Sequence, residues 1–263
     1  MSVKGCRWPL AGFIACVLFR IIPVQAMSAS LPISPVRVEK VISSKLGETR
    51  EAWVSLPDRY DETGDRYPVI YMLDGEINFN SGVDGTKDGG RADAFLDFVG
   101  EELMALVEKN YRTEPFRVLY GTSNTGFTAV HALFHNPRLA GAYVAASATL
   151  SVPIFRTNRG AWIRDFKGSD KRLILFMGEN DLPTVLSQNS ALKEQCDLLA
   201  PTGLSCRMAV LGGCGHVPGN SLVEGLRLVF EGWKIATPLG EKTFPEARAR
   251  PDAAARLKEL NKK

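Results

Sequence analysis

The stretch Phe-Arg-Val-Leu-Tyr-Gly-Thr-Ser-Asn-Thr-Gly, residues 116–126, sets a short apolar run directly before a glycine-flanked serine, and a helical pattern begins at once. It reads as a strand, a sharp turn and a helix. In the G-x-S-x-G form of that turn the serine hydroxyl stands clear of the sheet end, and the next backbone N–H faces the same point. Ser123 occupies that place, with Gly121 before it, Thr125 where the second glycine belongs, and Gly126 one residue later. A bare G-x-S is also an ordinary turn. The segments on either side of it must decide.

Upstream, Val36–Ser43 and Arg50–Leu56 read as two strands joined through Lys45-Leu46-Gly47-Glu48, a hairpin at the sheet edge. Tyr67–Leu73 is a continuous apolar run ending at Asp74-Gly75, as in a buried parallel strand whose carboxyl end opens into a functional loop. Residues 76–90 are irregular and glycine-rich. Ala92–Tyr111 follows as a helix with Phe95, Val99, Leu103, Leu106 and Val107 on one stripe.

Downstream come helix 124–135, strand Ala142–Ser147, a short helical piece Ala161–Phe166 and strand Leu173–Met177, which ends in Gly178-Glu179-Asn180-Asp181. Helix 187–199 and strand Cys206–Leu211 follow, the latter closing in Gly212-Gly213-Cys214-Gly215-His216, and Ser221–Trp233 is a last amphipathic helix. Strands alternating with helices predict an α/β fold, a mostly parallel sheet with helices on both faces.

With 263 residues, 45% hydrophobic and 23% charged, the composition is that of a globular chain with one sizeable core. Residues 1–26 read as a secretory signal peptide: Lys4 and Arg7, an apolar stretch from Trp8 to Phe19, then Val24-Gln25-Ala26 as a small-residue cleavage site. A membrane anchor is the competing reading, but Arg20 and Pro23 cut the apolar run well below the ~20 residues a span needs. Cys16 after Ala15 raises lipoprotein processing as a third. The division is then signal 1–26, globular domain 27–240 and charged tail 241–263, with a secreted or periplasmic location and no stable membrane insertion.

Removing three cations with the signal takes the formal net charge from +3 to zero, which leaves nothing to attract nucleic acid or an anionic membrane. Cys196, Cys206 and Cys214 remain. In an oxidising compartment Cys196 and Cys206 could pair across the turn between a helix and the next strand, or all three could be free thiols.

A serine hydroxyl needs a base to take its proton, and that base needs an acid to fix its tautomer. Of the three histidines, His131 and His135 lie inside the helix after the turn, while His216 lies on a glycine-rich loop beyond a strand and is placed as a base. Asp181 is the first choice of acid and Glu179, on the same loop, the alternative. The chain order Ser, Asp, His is that of α/β-hydrolases. The backbone N–H of Asn124 and that of Glu76 are the candidate oxyanion donors. His131 and His135 have the i, i+4 spacing of metal ligands. Without the glutamate of H-E-x-x-H or an evident third ligand, they read as packing or surface residues, and no metal or other cofactor is expected.

Several of these segments together resemble a known family. Tyr-Pro-Val-Ile-Tyr-Met-Leu-Asp-Gly (67–75), Gly-Gly-Arg-Ala-Asp-Ala-Phe-Leu-Asp-Phe (89–98), Glu102-Leu103, Tyr111-Arg112-Thr113, the serine turn, and Asn136-Pro137 with Ala145-Ala146-Ser147 are similar to the putative-esterase family. That family holds enterochelin-esterase-like hydrolases, feruloyl esterases, S-formylglutathione hydrolases and mycolyltransferases. The resemblance covers roughly residues 36–235. It implies an α/β-hydrolase fold and a serine ester hydrolase acting through an acyl-serine intermediate, with Ser123, Asp181 and His216 as nucleophile, acid and base and with Glu76 and Asn124 at the oxyanion. Small soluble esters are the expected substrates, because the short segment 76–90 leaves the site open. A hydrolase-like protein that binds without catalysis, or an acyltransferase, are the alternatives.

Two departures stand out. Thr125 replaces a usual glycine. In addition, residues 76–90 alone fill an interval where the resembling proteins carry a helix, a central sheet strand and an arginine-bearing loop. The sheet is thus expected to be one strand short, with Arg50–Leu56 closing up against Tyr67–Leu73.

Overall fold

The computed structural model describes residues 36–57, 60–73 and 92–232. The proposed signal, Glu76, the shortened segment 76–90 and the charged tail lie outside them. The described residues divide into two compact units, one of 36–40 and 51–63, the other of 41–50 and 64–232.

In the smaller unit lie the outer halves of β1 (Val36–Ser43) and β2 (Glu48–Ser55) and a 3-10 turn, Tyr60–Glu62. Arg37 grips Asp61 through two bonds of 3.0 and 3.1 Å. The turn joining β1 to β2 belongs to the larger unit. Gly47, at φ +71°, donates to the Ser43 carbonyl there, and one Glu102 oxygen accepts from the Ser44 N–H, the Ser44 hydroxyl and the Lys45 N–H.

The larger unit carries a five-stranded sheet in the order β3-β4-β5-β6-β7, formed by Tyr67–Met72, Thr113–Thr122, Ala142–Ala146, Lys171–Gly178 and Leu204–Leu211. Every pairing is parallel. On one face Val118, Tyr120, Val144, Ala146, Ile174 and Phe176 pack with Val229 of α5 (Ser221–Val229). The alternate residues Leu119, Tyr143, Ala145, Leu173, Leu175 and Met177 point the other way and are fully buried too. Such burial on both faces requires the continuous apolar runs these strands have.

Helix α1 runs as Ala92–Asp97, a π-helical stretch Phe98–Leu103 and Met104–Asn110. Helix α2, Ser123–His135, packs on β4 and β5. Helices α3 (Pro153–Arg164) and α4 (Pro183–Leu199) begin earlier than the expected 161 and 187. Each starts with proline at the first helical position. There the missing N–H costs nothing and the fixed φ is already helical, so each proline starts its helix.

The expected closing of the sheet does not occur. β1 and β2 form a two-stranded sheet of their own, and β3 pairs only with β4 among the described residues. Two physical reasons account for this. β2 has no buried residue, and from Thr49 to Ser55 exposed and half-buried residues alternate, a pattern unsuited to the interior of a parallel sheet. β3 itself is not sealed in a sheet interior: Ile70 and Met72 are exposed, so the face they share is open to water, unlike that of a central parallel strand.

Candidate active site

β4 delivers its last residue into a turn so tight that Ser123 takes φ +48°, a left-handed conformation costing a non-glycine residue on the order of 1–3 kcal/mol. The strand and helix meet without room for a side chain at Gly121, where a Cβ would run into the Thr125 carbonyl. Gly126 packs closely against Ala146 and Ala148, where a Cβ would be tight at 3.1–3.2 Å but not excluded. Thr125, the departure from the glycine pattern, is accommodated by hydrogen bonding. Its hydroxyl accepts the Thr122 N–H at 2.9 Å and shares its proton between the carbonyls of Thr122 (2.8 Å) and Leu73 (3.2 Å).

The structure brings Ser123, His216 and Asp181 together. His216 Nε2 lies 3.1 Å from Ser123 Oγ, and its Nδ1 lies 2.7 Å from Asp181 Oδ1. An ionised carboxylate only accepts, so Nδ1 carries the proton and Nε2 presents its lone pair to the serine. The Asp181 side chain is fully buried. Burial opposes its ionisation, but bonds from the Ser147 hydroxyl, from His216 and from the Leu182 N–H outweigh that cost and hold the carboxyl below its ordinary pKa.

Glu179, the alternative acid, faces elsewhere. Its carboxylate accepts the Gly213 N–H at 3.0 Å and helps fold the loop that carries His216. Gly178 admits that loop, since a Cβ there would strike the carbonyls of Cys214 and Gly215, and the Asn180 N–H donates to Cys214 O at 2.9 Å.

Asn124 follows Ser123 in the first turn of α2, where backbone N–H groups have no preceding carbonyl to bond, so its N–H is available beside the Ser123 hydroxyl. Glu76 lies outside the described residues.

Two residues at the site carried no role in the sequence reading. Ser147, buried and at φ +50°, donates to Asp181 Oδ2 at 2.5 Å and accepts the Val217 N–H at 2.8 Å. Thr149 gives its N–H to the Ser123 carbonyl at 3.0 Å and sets its hydroxyl 3.4 Å from Ser123 Oγ. The signal in sequence was faint: polar residues just past the carboxyl end of a fully apolar strand.

His131 is buried and bonds Asp93 at 2.8 Å, and its ring stacks on His135 at 3.8 Å with Trp162 edge-on to both. Burial, partly countered by Asp93, lowers its pKa and favours the neutral ring. Among the described residues no group of three His, Cys, Asp or Glu side chains is arranged to hold a metal ion. Cys196, Cys206 and Cys214 are free thiols, with those of Cys196 and Cys206 hydrogen-bonded to each other.

The fold is that of the α/β-hydrolases. Residues 82–173 match the family model described as putative esterase, a span that includes Ser123 and ends before Asp181 and His216. Among solved structures the chain is similar to an IroE-like serine hydrolase from Shewanella oneidensis, with 26% identity, a TM-score of 0.67, and coverage of 76% of this chain and 82% of that one. It is also similar to the siderophore hydrolase EstB from Aspergillus nidulans (20% identity, TM-score 0.59, 79% and 98% covered). The enterobactin esterase FES from Shigella flexneri, solved in the presence of enterobactin, is a third (19%, 0.59, 76% and 60%). The resemblance to the putative-esterase family is thereby borne out, and these matches support ester hydrolysis.

Proposed function

We propose that the chain is a serine carboxylic-ester hydrolase working through an acyl-serine intermediate. The observation that carries this reading is the unbroken line of contacts from Ser123 Oγ through His216 to buried Asp181, at 3.1 and 2.7 Å, with the serine held at φ +48°. In the forward step Ser123 Oγ attacks the ester carbonyl carbon while its proton passes to His216 Nε2, and Asp181 stabilises the imidazolium. The oxyanion takes the Asn124 N–H, together with that of Glu76 on the resemblance, and the positive end of α2 points at the same charge. Collapse expels the alcohol, which takes its proton from His216. Water then repeats the sequence and releases the acid.

The same line of contacts argues against a protein that only binds esters, since binding alone needs no base aligned on a strained serine. For substrate we propose small soluble esters, because residues 76–90 replace a longer, arginine-bearing segment of the resembling proteins. For location we propose the periplasm or exterior, after loss of residues 1–26.

A fluorophosphonate probe applied to residues 27–263 tests the chemistry. It should label Ser123, and Ser123→Ala should lower kcat on a chromogenic ester by on the order of 10⁴–10⁶. Labelling elsewhere, or a variant within tenfold of wild type, would overturn the assignment. A kcat/KM on a siderophore trilactone above that on small esters would overturn the substrate class.

A further inference from the structure

Five non-glycine residues among those described have positive φ: Ser123, Ser147, Asp170, Ala200 and Val217. Three of them meet at the site. Val217, a β-branched residue at φ +55°, directly follows the histidine, and left-handed backbone is a genuine outlier for that side-chain type. Such strain persists only where the surroundings over-determine it, and it gathers where a side chain has to be aimed.

One hydroxyl joins these strained points. Ser147 Oγ has one proton and accepts in return, and both capacities are used: the proton goes to Asp181 Oδ2 at 2.5 Å, and an oxygen lone pair takes the Val217 N–H at 2.8 Å. The Ser147 N–H is itself anchored to the Phe176 carbonyl at 2.7 Å, so the side chain projects from a fixed strand end. The next residues extend the same anchorage. The Ala148 carbonyl is held by buried Asn189 at 2.8 Å, and Thr149 donates its N–H to the Ser123 carbonyl at 3.0 Å. Residues 147–149 therefore touch the acid, the backbone after the base and the backbone of the nucleophile.

We propose that Ser147 is a positioning residue for the reaction proposed above: its hydroxyl sets the rotation of the Asp181 carboxylate and the seat of the His216 loop at once. This rests on Ser123, Asp181 and His216 being the working triad. Without the hydroxyl, Asp181 keeps His216 and the Leu182 N–H on Oδ1 while Oδ2 is left buried and unbonded, and the Val217 N–H loses its acceptor. The carboxylate is then free to turn and the imidazole to shift away from Ser123 Oγ. Misplacement of about 1 Å at a reacting group costs on the order of 10²-fold in rate.

The test compares Ser147→Gly with Ser147→Ala. Both lack the hydroxyl, but glycine relieves the left-handed backbone and alanine keeps it. Stability follows the backbone, so Ser147→Gly melts above Ser147→Ala. Activity follows the hydroxyl, so both variants lose about 10–100-fold in kcat on a small ester with KM within twofold of wild type. The low-field proton resonance of His216 Nδ1–H, present in wild type, is broadened or lost in both. Either variant within threefold of wild-type kcat, a loss of activity that tracks melting temperature, or an unchanged low-field resonance would overturn the proposal. The resonance is read without turnover, so a wild-type protein that neither hydrolyses esters nor takes the fluorophosphonate sinks the esterase reading while the clamp is still decided.

Discussion

Thr125 and Leu73 are joined by a hydrogen bond of 3.2 Å that ties the first turn of α2 to the end of edge strand β3. Thr125 is buried, and its hydroxyl also accepts the Thr122 N–H. Thr125→Val keeps the shape and removes both functions, leaving the buried Leu73 carbonyl without this donor and the half-buried Thr122 N–H without its acceptor, at up to about 1–3 kcal/mol each before relaxation. The variant is expected to lose about 2 kcal/mol in urea unfolding with an unchanged m-value. Stability within 0.5 kcal/mol of wild type would mean that β3 does not need the tie.

The loop bearing His216 offers a comparison between glycines of one segment and its neighbour. At Gly178 a Cβ would strike the carbonyls of Cys214 and Gly215, whereas at Gly219 it would meet open space. Gly178→Ala must push the loop outward and carry His216 from Ser123, so kcat should fall by about 10²-fold on misplacement alone. Gly219→Ala should leave kcat within twofold. Steady-state kinetics on the two proteins decide the matter, and equal effects would sink it.

These contrasts show where sequence was legible. Ser123, Asp181 and His216 each sit just beyond the carboxyl end of a strand, next to the glycines that let chains approach, and residue identity alone marks such places. The choice between Asp181 and Glu179 was not legible, because both lie on one turn and only the backbone decides which carboxylate faces inward. Ser147 was invisible as a site residue, for its role depends on two partners far away in the chain. The parallel core strands were read from their unbroken apolar runs. The neighbour of β3 was misjudged because pairing is a property of the whole sheet, and the exposure of Ile70 and Met72 leaves no trace in their identity.

Asp181 and Glu179 should separate sharply under neutral amide substitution. Asp181→Asn reverses the hydrogen-bonding sense toward His216 Nδ1 and should cost about 10⁴ in kcat, while Glu179→Gln retains an acceptor for the Gly213 N–H and should stay within threefold. The pH dependence follows from the lowered pKa of Asp181. A carboxyl whose folded value lies below its unfolded value stabilises fully above the unfolded value, about 3.9, and loses that contribution as pH falls through the lowered one. The stability gap between wild type and Asp181→Asn should therefore be widest above about pH 5 and narrow progressively as pH falls below about pH 4. A gap that widens on acidification would show that the aspartate is not held ionised by the fold.

Cys196 on α4 and Cys206 on β7 are free thiols joined by a hydrogen bond, and both belong to the unit that carries the site. That bond raises the pKa of Cys206, as does burial, while the same bond lowers that of Cys196. Cys196 is thus the better thiolate, and thiolates are the species that enter disulfide exchange. In an oxidising compartment the pair is expected to close, each sulfur giving up one proton and one electron to the oxidant. Closing so short a loop stabilises by about 3 kcal/mol in the chain-entropy picture. Residues 27–263 purified from an oxidising compartment should show one thiol in denaturant, from Cys214, and three after reduction. Reduction should lower the melting temperature by roughly 5–10 °C for a domain of this size. Three thiols in the unreduced protein would rule out the bridge, and a bridge whose reduction leaves the melting temperature unmoved would rule out its stabilising role.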